Sequence, residues 1–258
     1  YDRALLLAGA RIIDVGIDDQ GTGAGVRGIE AQLFAEAITD QTVAILFLPR
    51  AHDPLQLKDV VQVAHGRKIP VIVDAAAQLP PVNNLRFFIE QGADLVVFSG
   101  GKAIGGPQGT GILCGRADLV ASAALQMVDL DVSWLMWDPP RHLFPKERLK
   151  GMPYHGIGRG FKVSKEEIVG LMVALDRFVQ LDQVVQREKW LTELHRISQL
   201  LEAVPGIKFL RIQAERPIPL LKIGVTRAQE LVLALRRRCP PIICNERYLD
   251  QDILVINP

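Results

Sequence analysis

An aspartate and a lysine follow two consecutive apolar segments of the chain. Asp74 ends the run PVIV at 70–73, and Lys102 comes shortly after the run LVVF at 95–98. Short apolar runs rich in β-branched residues are typical of buried strands in a parallel sheet. Because ligands bind beyond the carboxyl ends of the strands in open α/β sheets, we predict that both side chains face a ligand site.

This pair of residue types matches the chemistry of pyridoxal 5′-phosphate. The cofactor needs a lysine for its Schiff base and a carboxylate beside its pyridine nitrogen, so that the protonated ring accepts electrons. Gly101 and the other glycines around Lys102 allow tight turns and a close approach of the backbone to a flat ring. Ser99 can donate a hydrogen bond to the cofactor phosphate.

Other interpretations of the same residues stay open at this point. An aspartate after a strand often caps a helix, and a lysine in a glycine-rich loop is often simply solvated. The loop is not a phosphate-binding P-loop, because its lysine comes too early and no Lys-Ser or Lys-Thr pair closes it. The spacing alone does not decide between a cofactor site and a structural loop.

Two segments carry a resemblance to a known family. DAAAQLPP at 74–81 and FSGGKAIGGPQGTGILCG at 98–115 resemble the selenocysteine synthase-like (L-seryl-tRNA selenium transferase-like) group of fold type I pyridoxal-phosphate enzymes. The lysine motif resembles the D-glucosaminate-6-phosphate ammonia-lyase branch more than the selenocysteine synthases, which favour an acid where Gly101 stands. Further matches at the start of the chain and at 155–175 extend the resemblance over most of the chain.

The resemblance implies a carbon–nitrogen lyase acting on an amino acid or a phosphorylated amino sugar acid. Lys102 would form the Schiff base and then act as acid or base, and Asp74 would pair with the pyridinium nitrogen. A homodimer or larger homo-oligomer is also implied. Two alternatives are a selenocysteine synthase-like transferase acting on seryl-tRNA, and a non-catalytic interaction domain or inactive fragment that keeps the fold.

Further candidates for the same site come from neighbouring loops. Ala76 is small enough for a flat ring to lie against the strand end, although packing at a helix start explains it equally well. Gln78 completes the DAAAQ match and can reach a cofactor or substrate oxygen. His52 and Arg159 are candidates for substrate contacts, Arg159 through a bidentate hydrogen bond to a phosphate or carboxylate. Solvated loop histidines and structural arginines are the common alternatives.

Composition and charge narrow the class of protein. The formal net charge of +1 gives no electrostatic reason to expect nucleic-acid binding. The three cysteines have no metal-binding spacing, and their odd number argues against a disulfide framework, which fits a reducing cytoplasm. No apolar stretch is long enough to span a bilayer. We therefore predict a soluble cytoplasmic protein with a small-molecule substrate, without a metal and without a membrane partner.

Alternating strands and helices predict an α/β fold. The segments run through 43–48, 57–65, 70–74, 83–91, 94–98 and 110–114. This order indicates βαβ units and a mostly parallel sheet with helices on both faces, as in the pyridoxal-phosphate-dependent transferases of fold type I. A further strand is predicted over 11–15, and the wider bounds of the strand at 43–48 are 41–47. Helices are also predicted over 1–10 and 28–39. A capping box is predicted from Ser164 to Glu167.

The predicted strands and helices divide the chain into three parts. Residues 1–160 are predicted to form a cofactor-binding large domain whose N-terminal part is missing by comparison with the family. Residues 161–203 are predicted to be linking helices that belong to a core or an interface. Residues 204–258 contain short strands and a helix at 226–238, which predict a small C-terminal α+β domain.

Overall fold

The computed structural model describes residues 2–15, 31–49, 56–128, 132–154 and 156–258. The chain divides into two compact units. The first consists of residues 1–79 and 83–179, and the second of residues 80–82 and 180–258. Each unit contains one four-stranded β-sheet.

Parallel strands form the core of the first unit. Its sheet has the order β1 (Ile45–Phe47), β2 (Val71–Asp74), β3 (Leu95–Ser99) and β4 (Gly111–Gly115). The first three strands are parallel, and β4 runs antiparallel to β3. The carboxyl ends of β1, β2 and β3 therefore lie at the same edge of the sheet as the start of β4. This mixed sheet and its helices confirm the predicted α/β fold class.

Amphipathic helices flank these strands in sequence. In α3 (Leu57–Gly66) the buried residues Leu57, Val60, Val61 and Ala64 recur at helical spacing, which gives the helix one apolar face. The segment predicted over 57–65 is this helix, which extends one residue further. The remaining helices up to residue 180 are α1 (Asp2–Leu7), α2 (Ala31–Ala37), α4 (Asn84–Glu90), α5 (Ala117–Leu125) and α6 (Lys165–Gln180).

The second unit is built on an antiparallel sheet. Its strand order is β5 (Ile207–Gln213), β6 (Leu220–Val225), β8 (Ile253–Ile256) and β7 (Asn245–Tyr248). Helices α7 (Gln183–Leu201) and α8 (Ala228–Arg236) supply the rest of its core. The buried cluster consists of Leu194, Leu221, Ile223, Val225, Ala228, Val232 and Leu254. The predicted small α+β part of the fold is confirmed.

Several predicted elements were wrong or displaced. Residues 11–15 form no strand, and Ile13 is half exposed, so the apolar run there has no described sheet to join. The strand predicted over 41–47 is limited to β1. The helix predicted over 28–39 is limited to α2 in the described part of the chain. Strand β7 was missed because its sequence, NERY, has no apolar run.

Two helix ends are well defined, and the first confirms the predicted capping box. The capping box at the start of α6 is formed, because the Ser164 N–H donates to the Glu167 carboxylate and the Glu167 N–H donates to Ser164 Oγ. At the other end of the chain, Gly9 follows α1 with a φ of +83°. A left-handed glycine of this kind is a common helix stop.

A buried carboxylate joins the amino ends of β2 and β3. Asp94 is only 6% exposed, and its Oδ2 accepts a 2.8 Å hydrogen bond from the Val71 N–H. The same oxygen lies 2.9 Å from His65 Nε2, and Oδ1 accepts a 3.0 Å hydrogen bond from Arg116. Burial alone would raise the pKa of Asp94, but the hydrogen bonds from His65, Val71 and Arg116 outweigh it and lower that pKa.

We expect the substitution Asp94→Asn to lower the free energy of unfolding at neutral pH by about 1.5–3 kcal/mol, because a charged hydrogen-bond acceptor is removed from a buried site. Urea unfolding of wild type and variant measures this difference in the free energy of unfolding. Asp118→Asn is the matched control, since Asp118 binds the same Arg116 but is 63% exposed, and its loss should be much smaller.

The pH dependence of protein stability gives a second measure of the hydrogen bonds to Asp94. Because the folded pKa of Asp94 is lowered, its stabilising contribution is complete above the pKa of the unfolded chain, about 4. It is lost as the pH falls through the lower, folded pKa. The difference between wild type and Asp94→Asn should therefore shrink below about pH 4. Equal losses for the Asp94 and Asp118 variants would contradict this account.

Candidate active site

The carboxyl edge of the first sheet brings the predicted site residues into neighbouring positions. Asp74 is the last residue of β2 and pairs with Val97 of the parallel strand β3. Ser99 ends β3 and pairs with Gly111 of β4. Lys102 follows Ser99 by three residues. Since adjacent strands lie about 4.8 Å apart, the lysine loop starts next to the strand that ends on the aspartate.

Asp74 presents one free carboxylate oxygen at this edge. Its side chain is half-buried, and Oδ1 accepts a 2.9 Å hydrogen bond from the Ala76 N–H. The Ala75 N–H continues the strand pairing by donating to the Val97 carbonyl at 2.9 Å. Oδ2 accepts no hydrogen bond from the described part of the chain. Asp74 is thus held in place through one oxygen and keeps the other for a ligand N–H.

Gln78 ties the ends of two strands together. Its side-chain Nε2 donates a 2.9 Å hydrogen bond to the carbonyl of Pro49, which lies just after β1. Its own carbonyl accepts a 2.6 Å hydrogen bond from the side chain of Asn84. One of the two Nε2 hydrogens of Gln78 is therefore used within the protein. Its predicted contact with a cofactor or substrate stays a prediction and would use Oε1 or the second Nε2 hydrogen.

Lys102 stands in a loop that closes on itself. The Gly105 N–H donates to the Lys102 carbonyl at 2.9 Å, and the Gly106 N–H donates to the Gly100 carbonyl at 2.8 Å. Gly105 has a φ of +74°, a conformation that residues with a side chain rarely adopt. Lys102 itself is exposed and forms no ion pair with any residue in the described ranges. Its amine is therefore accessible at the end of a hydrogen-bonded turn.

Gly100 and Gly101 are required by contacts within the protein. A Cβ atom on Gly100 would lie 2.1 Å from Thr110 Oγ1. A Cβ atom on Gly101 would lie 2.6 Å from Gln108 Cα. Thr110 is buried, and its hydroxyl donates a 2.6 Å hydrogen bond to the Pro107 carbonyl. At these two glycines the backbone packs against other residues of the same loop. The sequence pattern could not distinguish this role of the glycines from close approach to a ligand.

The other predicted site residues lie in different surroundings. Arg159 is exposed on the 3-10 turn Ile157–Phe161. The glycines beside it pack against the end of α5, since a Cβ atom on Gly156 would lie 2.2 Å from the Gln126 carbonyl oxygen. His52 lies outside the described residues. The substrate contacts of Arg159 and His52 both stay predictions.

The donor set at the sheet edge fits pyridoxal 5′-phosphate. It combines a carboxylate with a free oxygen, an accessible lysine amine and the half-buried hydroxyl of Ser99, the groups that this cofactor requires. Within the described ranges, no cluster of His, Cys, Asp and Glu can hold a metal ion. None of the helices described is long and apolar enough to cross a membrane.

We expect Gly101→Ala to lower the free energy of unfolding by about 1–3 kcal/mol, because the added methyl group must displace the backbone at Gln108. Gly66→Ala is the control. It adds the same methyl group at the end of α3, where nothing lies within 4 Å, and should be neutral or slightly stabilising. Urea unfolding of both variants measures the difference, and an unchanged Gly101→Ala protein would contradict the observed packing.

Comparisons with known proteins identify the enzymes to which this chain is similar. The model of the aminotransferase class-V family matches residues 13–129. The chain is 27% identical over 267 residues to D-glucosaminate-6-phosphate ammonia lyase of Salmonella typhimurium, covering 99% of this chain and 60% of that protein. A solved structure of D-glucosaminate-6-phosphate ammonia-lyase has a TM-score of 0.68 and 26% identity, covering 100% of this chain and 61% of that one.

Two other relatives show a similar level of identity. The chain is 28% identical over 267 residues to 5′-C-glycyluridine monooxygenase-decarboxylase of a Streptomyces species, covering 98% of this chain and 57% of that protein. It is 26% identical over 229 residues to L-seryl-tRNA(Sec) selenium transferase of Aquifex aeolicus, covering 76% of this chain and 44% of that protein. The chain thus spans about 60% or less of the length of these relatives.

The predicted resemblance is therefore confirmed. Residues 13–129 are similar to the aminotransferase class-V family, and the chain is similar to an ammonia lyase and a selenium transferase. Its fold is that of the fold type I enzymes that depend on pyridoxal 5′-phosphate. The comparisons imply the same cofactor that the residue types at the sheet edge predict.

Proposed function

We propose that this relative of the aminotransferase class-V enzymes uses pyridoxal 5′-phosphate at the carboxyl edge of its first sheet to release ammonia from an amino acid or amino sugar acid. The observation that carries the proposal is the parallel pairing of β2 with β3. This pairing puts a half-buried aspartate and an accessible lysine at the ends of adjacent strands. The similarity to an ammonia lyase over the full chain supports the reaction class.

The roles follow from what each side chain can do. The bound cofactor supplies an electron sink for the bond that breaks at the substrate carbon. Lys102 would hold the cofactor through its amine and would carry a proton to or from the substrate when that amine is free. The free oxygen of Asp74 accepts the N–H of the ring and keeps that nitrogen protonated. Ser99 and the Gly101 segment are proposed to seat the cofactor.

The neighbouring candidates complete the proposed site. Ala76 leaves room for the ring beside the end of β2, and its backbone N–H keeps the Asp74 carboxylate oriented. Gln78 is proposed to offer its remaining oxygen to the cofactor or substrate. Arg159 is proposed to bind an anionic group of the substrate, which a phosphorylated amino sugar acid supplies twice. His52 is proposed as a further substrate contact.

The cofactor site is tested with this chain and pyridoxal 5′-phosphate alone. We expect a yellow absorbance band, and reduction with sodium borohydride should fix the cofactor onto Lys102, as located by peptide mass spectrometry. Lys102→Arg keeps the charge but should lose both signals, because a guanidinium does not form the Schiff base. Lys58→Ala removes an exposed lysine of the same unit and should keep them. A colourless wild-type protein would overturn the proposal.

We expect Asp74→Asn to separate attachment of the cofactor from turnover. The asparagine oxygen can still accept the Ala76 N–H, so the loop should hold its shape and borohydride should still label Lys102. Turnover should fall by about 100-fold or more, because the ring nitrogen loses the charge that keeps it protonated. Ammonia release from D-glucosaminate 6-phosphate, measured under single-turnover conditions, tests this. Equal rates for both proteins would remove Asp74 from the mechanism.

The alternatives predict different results in the same experiments. A selenocysteine synthase-like transferase would bind seryl-tRNA, with an affinity that weakens steeply as salt is added. The chain departs from that branch at Gly101, and its net charge of +1 offers no general attraction for RNA. A non-catalytic interaction domain would show neither the absorbance band nor ammonia release. Attachment of the cofactor together with ammonia release supports the lyase.

A further inference from the structure

Helix α6 packs directly against the loop that carries Lys102. The side chain of Leu171 fills the space beside two loop glycines. Its Cδ1 atom would lie 2.7 Å from a Cβ atom on Gly100 and 3.2 Å from one on Gly106. The helix can come this close because its own residue Gly170 faces Pro107, whose Cγ would lie 3.0 Å from an added Cβ atom. The contact therefore depends on glycines on both sides.

Leu171 belongs to the less exposed apolar residues of α6, together with Leu175 and the buried Phe178. Leu171 is half-buried, whereas Ile168, Met172 and Val173 are all about half exposed or more, with Met172 at 65%. The sequence pattern assigned the apolar residues of α6 to a core or interface as one group. The structure separates them by burial and places Leu171 beside Gly100 and Gly106 of the lysine loop.

The contacted glycines are the two ends of the turn that contains Lys102. The Gly106 N–H donates a 2.8 Å hydrogen bond to the Gly100 carbonyl, so these residues close the turn. Gly100 is in turn held by its N–H, which donates to the Thr110 carbonyl at 2.9 Å. A side chain that packs on both ends of a closed turn restricts the movement of everything between them, including the lysine.

We propose that Leu171 is a positioning residue for Lys102, and this proposal rests on the proposed function. By filling the space beside Gly100 and Gly106, Leu171 holds the closed turn in the position from which the lysine amine reaches the carboxyl edge of the sheet. Its removal leaves the amine chemically intact but less often correctly placed. Misplacement of a reacting group by about 1 Å can cost about 100-fold in rate.

A graded series of substitutions tests the proposal. Leu171→Ala removes the atoms that reach both glycines, Leu171→Val shortens the side chain, and Leu171→Met keeps its volume. We expect the rate at which borohydride-fixed cofactor accumulates on Lys102 to fall about 10- to 100-fold in the alanine variant and less in the valine variant. The methionine variant should stay near wild type. Met172→Ala is the matched control on the exposed side of α6.

A second measurement follows the loop without the cofactor. Amide hydrogen exchange at residues 100–106 should become faster in Leu171→Ala and stay unchanged in Met172→Ala, with thermal unfolding recorded for both. If Leu171→Ala does not fold, the valine and methionine variants decide the question. Equal labelling rates and equal exchange for the Leu171 and Met172 variants would overturn the positioning role. A wild-type protein that takes up no cofactor would instead overturn the proposed function.

Discussion

Two hydrogen bonds between Asp94 and Val71 set the register on which the site depends. The Asp94 carboxylate accepts the Val71 N–H, and the Asp94 N–H donates to the Val71 carbonyl. The first residue of β2 is thereby fixed against the start of β3. A slip of one residue would turn every side chain of a strand to the opposite face. The placement of Asp74 beside Val97 at the carboxyl edge is therefore decided at the amino edge of the same sheet.

The sequence predicted those elements whose pattern is local. Strands β2 and β3 are short apolar runs, α3 has a regular apolar face, and Ser164 with Glu167 forms a capping box. Each of these is visible within a window of about ten residues. The predicted positions of Asp74 and Lys102 follow from such runs together with a general rule about parallel sheets. Strand β7 could not be found this way, because NERY becomes a strand only through pairing with β8.

The surroundings of Lys102 were less predictable because they depend on residues distant in the chain. Leu171 lies about seventy residues beyond Gly100, and nothing in the local pattern of α6 separates it from Met172. The sequence analysis drew attention to the glycines of the loop, but it explained only in part why glycine stands at these positions. The structure gives several of them a protein neighbour at the place where a side chain would stand. Local patterns therefore singled out the candidate reactive groups, while the residues that pack around them became visible only in the fold.

Gly101 also limits which side chains the lysine loop accepts. The selenocysteine synthases resembled by the lysine motif favour an acid at this position. Here the backbone of Gln108 occupies the volume that any side chain would need, 2.6 Å from an ideal Cβ atom. An acidic residue at 101 therefore requires the loop to move at Gln108. A single substitution at this position changes the shape of the lysine loop as well as its charge.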